Sequence, residues 1–240
     1  MFLFLTAYNQ LTYDSFHKDA GRIFQTYFLS TNEDGVFKSG EMPLPLLPAL
    51  KQNVPGVEYA ARVETGRKTI ISFAGKYFDE LLTYTDPDFF RFLNCPLEQG
   101  NKNMVLNDLH NIVLSASLAK AIFGEEDAVG KTVQVGKQGN QLSYIVTGIA
   151  KDCPQNSSIK FDALANIESS PDYASNSTNW HADTHTAFIN LTGNINKTAF
   201  AVNLKKFSAT YFPVENQNPK NGQAKTQLIK LKALNDVHFN

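Results

Sequence analysis

The residues best suited by type and spacing to bind a metal are two histidines and an aspartate in the last third of the chain. His181, Asp183 and His185 alternate along the sequence, and alternate residues of a strand share one face. Two imidazoles and a carboxylate are common zinc ligands. No third histidine or cysteine stands nearby, however, and the run follows an Asn-rich loop. We therefore expect the solvated start of a strand rather than a metal site.

Two other patterns offer weaker chemistry. Asp86 and Asp88 could act as an acid and a base, but Asp88 precedes two phenylalanines in the manner of a capped helix start. Ser115 and Ser117 lie in no G-x-S-x-G nucleophile motif, and either hydroxyl could cap the helix that follows. We predict no catalytic, cofactor-binding or metal-binding residues in this chain.

The segment from Gly124 to Thr132, GEEDAVGKT, superficially resembles a phosphate-binding loop. Five residues separate its glycines, whereas the G-x-x-x-x-G-K-[ST] pattern has four. Three acidic residues, Glu125, Glu126 and Asp127, stand where phosphates would have to bind. The segment also follows the C-terminus of a predicted helix, whereas phosphate loops use a helix N-terminus. We predict an acidic turn that binds no nucleotide.

Composition limits the remaining classes. The chain has 240 residues, of which 42% are hydrophobic, and this is enough for a sizeable core. The net charge is -1 and the lysines and arginines are scattered, so nucleic-acid binding has little electrostatic support. Cys95 and Cys153 lack the spacing of a metal or redox motif. We expect two separate thiols, with a single disulfide as the alternative in an oxidising compartment.

The N-terminus is apolar but short. Residues 1–5, MFLFL, lack the basic region and cleavage site of a signal peptide, and are far fewer than the roughly 20 apolar residues that cross a bilayer. We interpret residues 2–8 as the outer end of a transmembrane helix, with an ordinary first strand as the alternative. His17 follows in a segment where it could pack against neighbours or act as a pH switch.

Periodicity predicts a helix and a hairpin in the middle of the chain. The helix begins after Ser115 or Ser117, carries apolar residues at helical spacing, and ends at Gly124. Alternating apolar residues from Val133 and again from Tyr144 predict the two strands of the hairpin.

Both ends of the chain have a strand–helix–strand pattern. In the first third we predict strands over 22–30 and 57–63, with a helix between them that ends near residue 53. In the last third we predict strands over 184–191 and 226–231, and a helix capped by Asn196 or Thr198. Residues 169–179 are the best linker candidate. We infer that one domain is interrupted by another.

The run of residues 112–164, IVLSASLAKAIFGEEDAVGKTVQVGKQGNQLSYIVTGIAKDCPQNSSIKFDAL, resembles the MacB-like periplasmic core domain of bacterial ABC-transporter permeases of the FtsX type. Residues 11–24, 46–57 and 86–100 resemble further segments of that family in the same order. The resemblance thus covers nearly the whole chain.

This resemblance implies an α+β fold with two subdomains. A porter-like unit of two βαβ-type halves, residues 17–67 and 179–240, would be split by an inserted sabre-like α/β unit, residues 68–178. Residues 1–16 would form a membrane-proximal segment. The implied function is that of a non-catalytic domain at the periplasmic face of the inner membrane, which couples cytoplasmic ATP hydrolysis to export or signalling.

The resemblance also implies partners. These are the permease's own transmembrane helices, a separate cytoplasmic ATPase, a periplasmic adaptor or lipoprotein, and a second permease copy or paralogue. No cofactor and no nucleic acid are expected. The alternatives are a stand-alone periplasmic module that binds peptides or lipids, and an enzyme built on the His181–His185 run.

Overall fold

The computed structural model describes residues 14, 16–17, 20–32, 35–213 and 226–237. The chain divides into two compact units: Met1–Lys18 with Val63–Ala174, here called the middle unit, and Asp19–Arg62 with Ser175–Asn240, here called the split unit. Residues 2–8, interpreted above as the end of a transmembrane helix, lie outside the described residues. Within the described part, no helix has the length and apolar character needed to cross a membrane.

The elements mix strands and helices, which confirms the predicted α+β class. The strands are β1 (Ile23–Asn32), β2 (Gly35–Ser39), β3 (Glu41–Pro43), β4 (Val57–Phe73), β5 (Lys76–Thr85), β6 (Leu97–Gln99), β7 (Asn111–Ser115), β8 (Thr132–Val135), β9 (Leu142–Ala150), β10 (Ala163–Asn166), β11 (Asp183–Leu191) and β12 (Thr226–Ala233). The helices are α1 (Leu46–Asn53), α2 (Phe89–Phe92), α3 (Ala116–Phe123), α4 (Tyr173–Asn176) and α5 (Lys197–Tyr211).

The split unit is built on the strand order β12-β1-β11-β4. Strand β1 pairs antiparallel with β12 from Phe24 to Thr31, and antiparallel with β11 from Ile23 to Gln25. Strands β11 and β12 are therefore parallel to each other, with β1 between them and α5 connecting them. This order, with a helix in each half, is that of the ferredoxin-like split βαβ arrangement.

Helices α1 and α5 cover the sheet of the split unit through apolar stripes. The side chain of Asn196 accepts a hydrogen bond of 3.0 Å from Ala199 N and so caps α5. Asn196, rather than Thr198, is thus the cap of the predicted helix. The core of the unit comprises the buried residues Phe28, Met42, Leu46, Leu47, Leu50, Val54, Ala60, Ala187, Ile189, Leu191, Phe200, Leu204, Phe207 and Ile229.

The strands of the middle unit pair in a closed circuit. The second part of β4 forms a hairpin with β5 through Ala74 and Gly75, which both have positive φ, as a tight hairpin turn requires. Strand β5 then pairs with β10, β10 with β7, β7 with β9, and β9 with β8. Pairing of Ile71 with Val135 joins β8 back to β4. The circuit leaves few strand edges unpaired in this unit.

Helix α3 follows the local signals of the sequence. Ser115 Oγ accepts a hydrogen bond of 3.2 Å from Leu118 N and caps the helix. Ser117 has another role, because its Oγ and its N both donate to Asp152 Oδ1, at 2.9 and 3.0 Å. A carboxylate at a helix N-terminus is stabilising. The bonds of Ser117 therefore fix the loop after β9 to the start of α3.

Strand β4 is much longer than predicted, since it continues past residue 63 to Phe73. A register shift between Glu64 and Arg67 marks a β-bulge in its pairing with β5. A Cβ on Gly66 would lie 2.7 Å from both Leu81 Cγ and Thr83 Oγ1. The bulge thus needs glycine at this position. A glycine within a strand also interrupts the alternating pattern from which the second part of β4 could have been predicted.

Candidate functional site

The His181–His185 run begins β11 but does not gather a metal site. His181 and Asp183 are exposed, as predicted for a solvated strand start, but His185 is buried, and for His185 that prediction is wrong. A register shift between Asp183 and His185 interrupts the pairing of β11 with β3, so the regular alternation of faces is lost. Among the residues that the structure describes, no group of three or more His, Cys, Asp or Glu could hold a metal ion.

His185 is a neutral imidazole in the core of the split unit. Burial, followed by the nearby charge of Arg62, lowers the pKa of His185 to about 3, because a protonated ring would lose its hydration. Within the described part of the chain, neither ring nitrogen has a hydrogen-bond partner. Asp183 shifts the other way, since partial burial and then the charge of Glu41 raise its pKa to about 6. His185 and Asp183 of β11 thus both have shifted pKa values, but they are not arranged to bind one metal ion together.

Asp88 has a structural role at the start of α2, and the backbone carbonyl of Asp86 accepts a hydrogen bond of 3.0 Å from Phe89 N. The side chain of Asp88 makes no cap hydrogen bond, so the predicted cap is wrong. Its Oδ1 instead accepts a hydrogen bond of 2.9 Å from Arg91 Nη1. The guanidinium of Arg91 lies three residues further along the chain. Its charged hydrogen bond to the carboxylate forms in place of a cap to a backbone N–H.

The acidic turn after α3 engages its own lysine. The ammonium of Lys131 pairs with the carboxylate of Glu126, and lies 5.1 Å from the ring centroid of Phe123 and 5.8 Å from that of Phe73. A lysine of a phosphate-binding loop has to be free to reach a phosphate. The turn leaves the C-terminal end of α3, as predicted, and its one lysine is held by a carboxylate and two rings.

Both cysteines line one cleft of about 220 Å³ in the middle unit, together with Phe16 and Asn94. They are free thiols. Burial raises the pKa of Cys95 and of Cys153, because the thiolate would lose its hydration. The thiolate is the reactive form of cysteine, so both residues are weak nucleophiles at neutral pH.

We expect these thiols to react slowly with a disulfide reagent such as 5,5'-dithiobis(2-nitrobenzoate). At about pH 8, the native chain should react at least roughly ten times more slowly than the chain in urea, since little thiolate forms in the folded state. The variant Met104→Cys in a Cys95→Ala, Cys153→Ala background supplies an exposed control, because Met104 is 62% exposed. Equal rates for the native thiols and for this control would contradict the raised pKa values.

A cluster of hydrogen bonds holds the N-terminal segment, represented by Asp14, Phe16 and His17, against the rest of the middle unit. We call Asp14, Phe16, His17, Asn94 and Ser158 the N-terminal anchor. Asp14 Oδ1 accepts a bond of 3.0 Å from Ser158 N, and Asp14 N donates to a backbone carbonyl of the same loop at 3.0 Å. Asn94 Nδ2 donates to Phe16 O at 2.9 Å. The anchor thus joins the segment to two loops, and bonds across 144 residues leave no local sequence signal.

His17 is a packed member of this anchor. It is 4% exposed, and its Nδ1 accepts a hydrogen bond of 2.8 Å from Asn94 N, which places the ring proton on Nε2. Burial lowers the pKa of His17, and the nearby Asp14 partly opposes this effect. Since the charged form is disfavoured at neutral pH, these contacts support the packing role considered from the sequence.

Charged and polar residues cluster in the middle unit beside two places where the chain leaves it. We call Glu64, Arg67, Ser170 and Asp172 the crossing network. The buried Glu64 Oε2 accepts a bond of 2.7 Å from Ser170 Oγ, and Arg67 Nη2 lies 3.4 Å from Glu64 Oε1. Arg67 also pairs with Asp172. These contacts tie β4 to the segment before α4, within a few residues of both boundaries at 62–63 and 174–175.

Comparison with known proteins identifies the fold and the family. A domain of a permease protein from Porphyromonas gingivalis is 21% identical, covers 90% of this chain and 91% of its own, and superposes with a TM-score of 0.77. The periplasmic region of MacB from Actinobacillus actinomycetemcomitans is 16% identical over 86% of this chain and 87% of its own, with a TM-score of 0.53. At these low identities, the two superpositions establish similarity of fold alone.

A third solved structure comes from Gram-positive bacteria. The extracellular domain of the ABC-type transporter YknZ from Gram-positive bacteria is 12% identical, covers 87% of this chain and 99% of its own, and has a TM-score of 0.55. A search among curated proteins gave no match. The sequence pattern of the MacB-like periplasmic core domain matches residues 1–223. The chain therefore belongs to the family of MacB-like periplasmic core domains of ABC-transporter permeases.

Proposed function

We propose that this chain is the non-catalytic extracytoplasmic domain of its permease and that it transmits work. ATP hydrolysis by a separate cytoplasmic ATPase would move the two units against each other. This movement would drive substrate export or a signal outside the membrane, through a periplasmic adaptor or lipoprotein and a second permease copy or paralogue. The setting is the periplasmic face of the bacterial inner membrane.

The observation that carries this proposal is the division of the chain into two compact units, of whose strands only β4 belongs to both. The chain passes between them near residues 18–19, 62–63 and 174–175. Units joined by few crossings are expected to move relative to each other, and hinge motion is a common way to transmit work. We assign the porter-like role to the split unit and the sabre-like role to the middle unit.

The N-terminal anchor and the crossing network support this mechanism. Force from the permease's own transmembrane helices would reach the loops of Asn94 and Ser158 through Asp14, Phe16 and His17, because hydrogen bonds join these residues to the two loops. Arg67 and Glu64 brace β4 where it leaves the middle unit. Motion that enters at the anchor would thus move the middle unit as a body, with bending confined to the crossings.

Distance measurements between spin labels in the full permease with its ATPase test the proposal. One label pair joins the units, Val36→Cys in the split unit with Met104→Cys in the middle unit. The control pair, Tyr77→Cys with Met104→Cys, lies within the middle unit. All three positions are at least 59% exposed, so labels should be tolerated. Cys95→Ala and Cys153→Ala remove the native thiols.

We expect the distances of the first pair to differ between the nucleotide-free and the ATP-bound transporter, and those of the control pair to stay constant. Unchanged distances for both pairs throughout the ATPase cycle would refute the mechanical part of the proposal. A change in both pairs would show that the middle unit itself deforms, which is incompatible with rigid-body movement.

A further inference from the structure

An apolar cleft lies between helix α5 and the edge strand β12 in the split unit. Its volume is about 570 Å³, within the range of small-molecule sites. The floor is formed by apolar side chains from three strands and the helix, among them Phe24, Leu191 and Leu231. Val202 on the helix side is 49% exposed. The cleft therefore offers water an apolar surface that an acyl chain would cover favourably.

Three lysines line this cleft, and none of its lining residues is acidic. Lys197 and Lys205 are two turns apart on α5 and so lie on the same face of the helix, roughly 12 Å from each other along its axis. Lys230 approaches from β12. Within the described part of the chain, none of these three lysines forms an ion pair or a hydrogen bond through its ammonium, so their charges are available to a ligand.

Ala201 explains why the cleft is open. It stands between Lys197 and Lys205 at the i+4 position of the same helix face. A methyl group here leaves the apolar floor uncovered. Phe200 and Leu204 of the same helix are buried and form part of that floor, and Phe207 packs into the core away from the cleft. The helix thus packs its bulky side chains into the core and presents a small residue, flanked by two cations, to the cleft.

We propose that this cleft binds a single-chain anionic amphiphile, namely a dissolved long-chain carboxylate. Its acyl chain would lie on the apolar floor, and its carboxylate would accept charge-assisted hydrogen bonds from the lysine ammonium groups. A cationic amphiphile would be repelled by three lysines. The site lies within the split unit and does not depend on the proposed coupling to ATP hydrolysis.

Calorimetric titration of the 240-residue chain with monomeric dodecanoate tests this site. We expect saturable binding of one molecule, and little or no binding of hexanoate or of dodecyltrimethylammonium. The double variant Lys197→Glu, Lys205→Glu should bind dodecanoate roughly tenfold more weakly or worse, since it loses two charge-assisted contacts. Lys206→Glu is the matched control, because Lys206 is exposed on the same helix but does not line the cleft.

A second pair of variants separates shape from charge. Ala201→Phe should abolish dodecanoate binding by filling the cleft without a change of charge, whereas Ala209→Phe, at an exposed position outside the lining, should leave it intact. Equal binding by Ala201→Phe and the wild type would overturn the proposal, as would equal affinity for dodecyltrimethylammonium. Cosedimentation with anionic phospholipid vesicles gives a third test. If Lys206→Glu weakened cosedimentation as much as Lys197→Glu, the proposal would also be overturned, because the lysines would then serve a membrane surface.

Discussion

Acidification from neutral pH to about pH 4.5 is expected to destabilise the split unit, with His185 as a main cause. The pKa of His185 is about 3 in the folded chain and 6.5 in the unfolded chain. Below pH 6.5 the unfolded chain therefore binds a proton that the folded chain does not bind. This difference removes about 3 kcal/mol from the free energy of unfolding by pH 4.5, and the loss continues as the pH approaches 3.

Asp183 opposes this effect over a narrower range. Its pKa is about 6 in the folded chain, above its ordinary value of 3.8. Between these two values the folded chain binds the proton more tightly, so acidification stabilises the fold through Asp183. The side chain is exposed, and solvent therefore weakens its contribution. We expect Asp183→Asn to make the loss of stability below pH 6 steeper.

His185→Leu gives the direct test. Without the imidazole, the free energy of unfolding of the split unit should become nearly independent of pH between 6.5 and 4.5, apart from the effect of the carboxylates. The variant should exceed the wild type by about 3 kcal/mol at pH 4.5. His181→Leu makes the same change at an exposed position and should retain the acid sensitivity of the wild type.

Urea titrations followed by tryptophan fluorescence measure the free energy of unfolding of the split unit, which carries His185. Trp180 is the only tryptophan, and its ring stacks on that of Tyr211 with centroids 4.6 Å apart, both within the split unit. If His185→Leu lost stability on acidification as steeply as the wild type, the acid-sensitive group would lie elsewhere.

Local features of the fold could be predicted because their causes lie within a few residues of sequence. The cap of α3 at Ser115 lies three residues before Leu118, and the end of the helix at Gly124 directly follows Phe123. The cap of α5 at Asn196 is of the same kind. Each cap bonds to a backbone group of its own helix, so the sequence pattern contains the whole interaction.

Features that depend on pairing between distant strands could not be predicted. The burial of His185 results from a bulge opposite β3, and no spacing rule places that bulge. Strand β4 can continue through Gly66 because this residue has no Cβ to collide with Leu81 and Thr83 of β5. The contact of Glu64 with Ser170 joins residues 106 apart. Such contacts exist only once the topology has brought the partners together.

Leu50→Ala and Leu114→Ala are expected to destabilise different parts of the chain. Leu50 in α1 belongs to the split unit and Leu114 in β7 to the middle unit, and both are fully buried. Truncation of a buried leucine to alanine costs about 2–5 kcal/mol, from lost burial and from the cavity. Because each unit has its own buried residues, and of the strands only β4 belongs to both units, the loss should fall on the unit that carries the change.

Hydrogen exchange resolves where each loss falls. Leu50→Ala should accelerate exchange in both segments of the split unit, residues 19–62 and 175–237, although they are far apart in sequence. The reason is that β1 pairs with β12 and β11, so neither segment is complete without the other. Residues 63–174 should keep the protection of the wild type.

Leu114→Ala should give the opposite pattern, with faster exchange in residues 63–174. It should also loosen the backbone amides of Asn94 and Ser158, whose hydrogen bonds hold the N-terminal segment to the middle unit. The Trp180 transition in urea should shift for Leu50→Ala and stay in place for Leu114→Ala. Equal acceleration across both units in either variant would mean that the chain unfolds as one cooperative body, and the rigid-body movement proposed for the transporter would lose its physical basis.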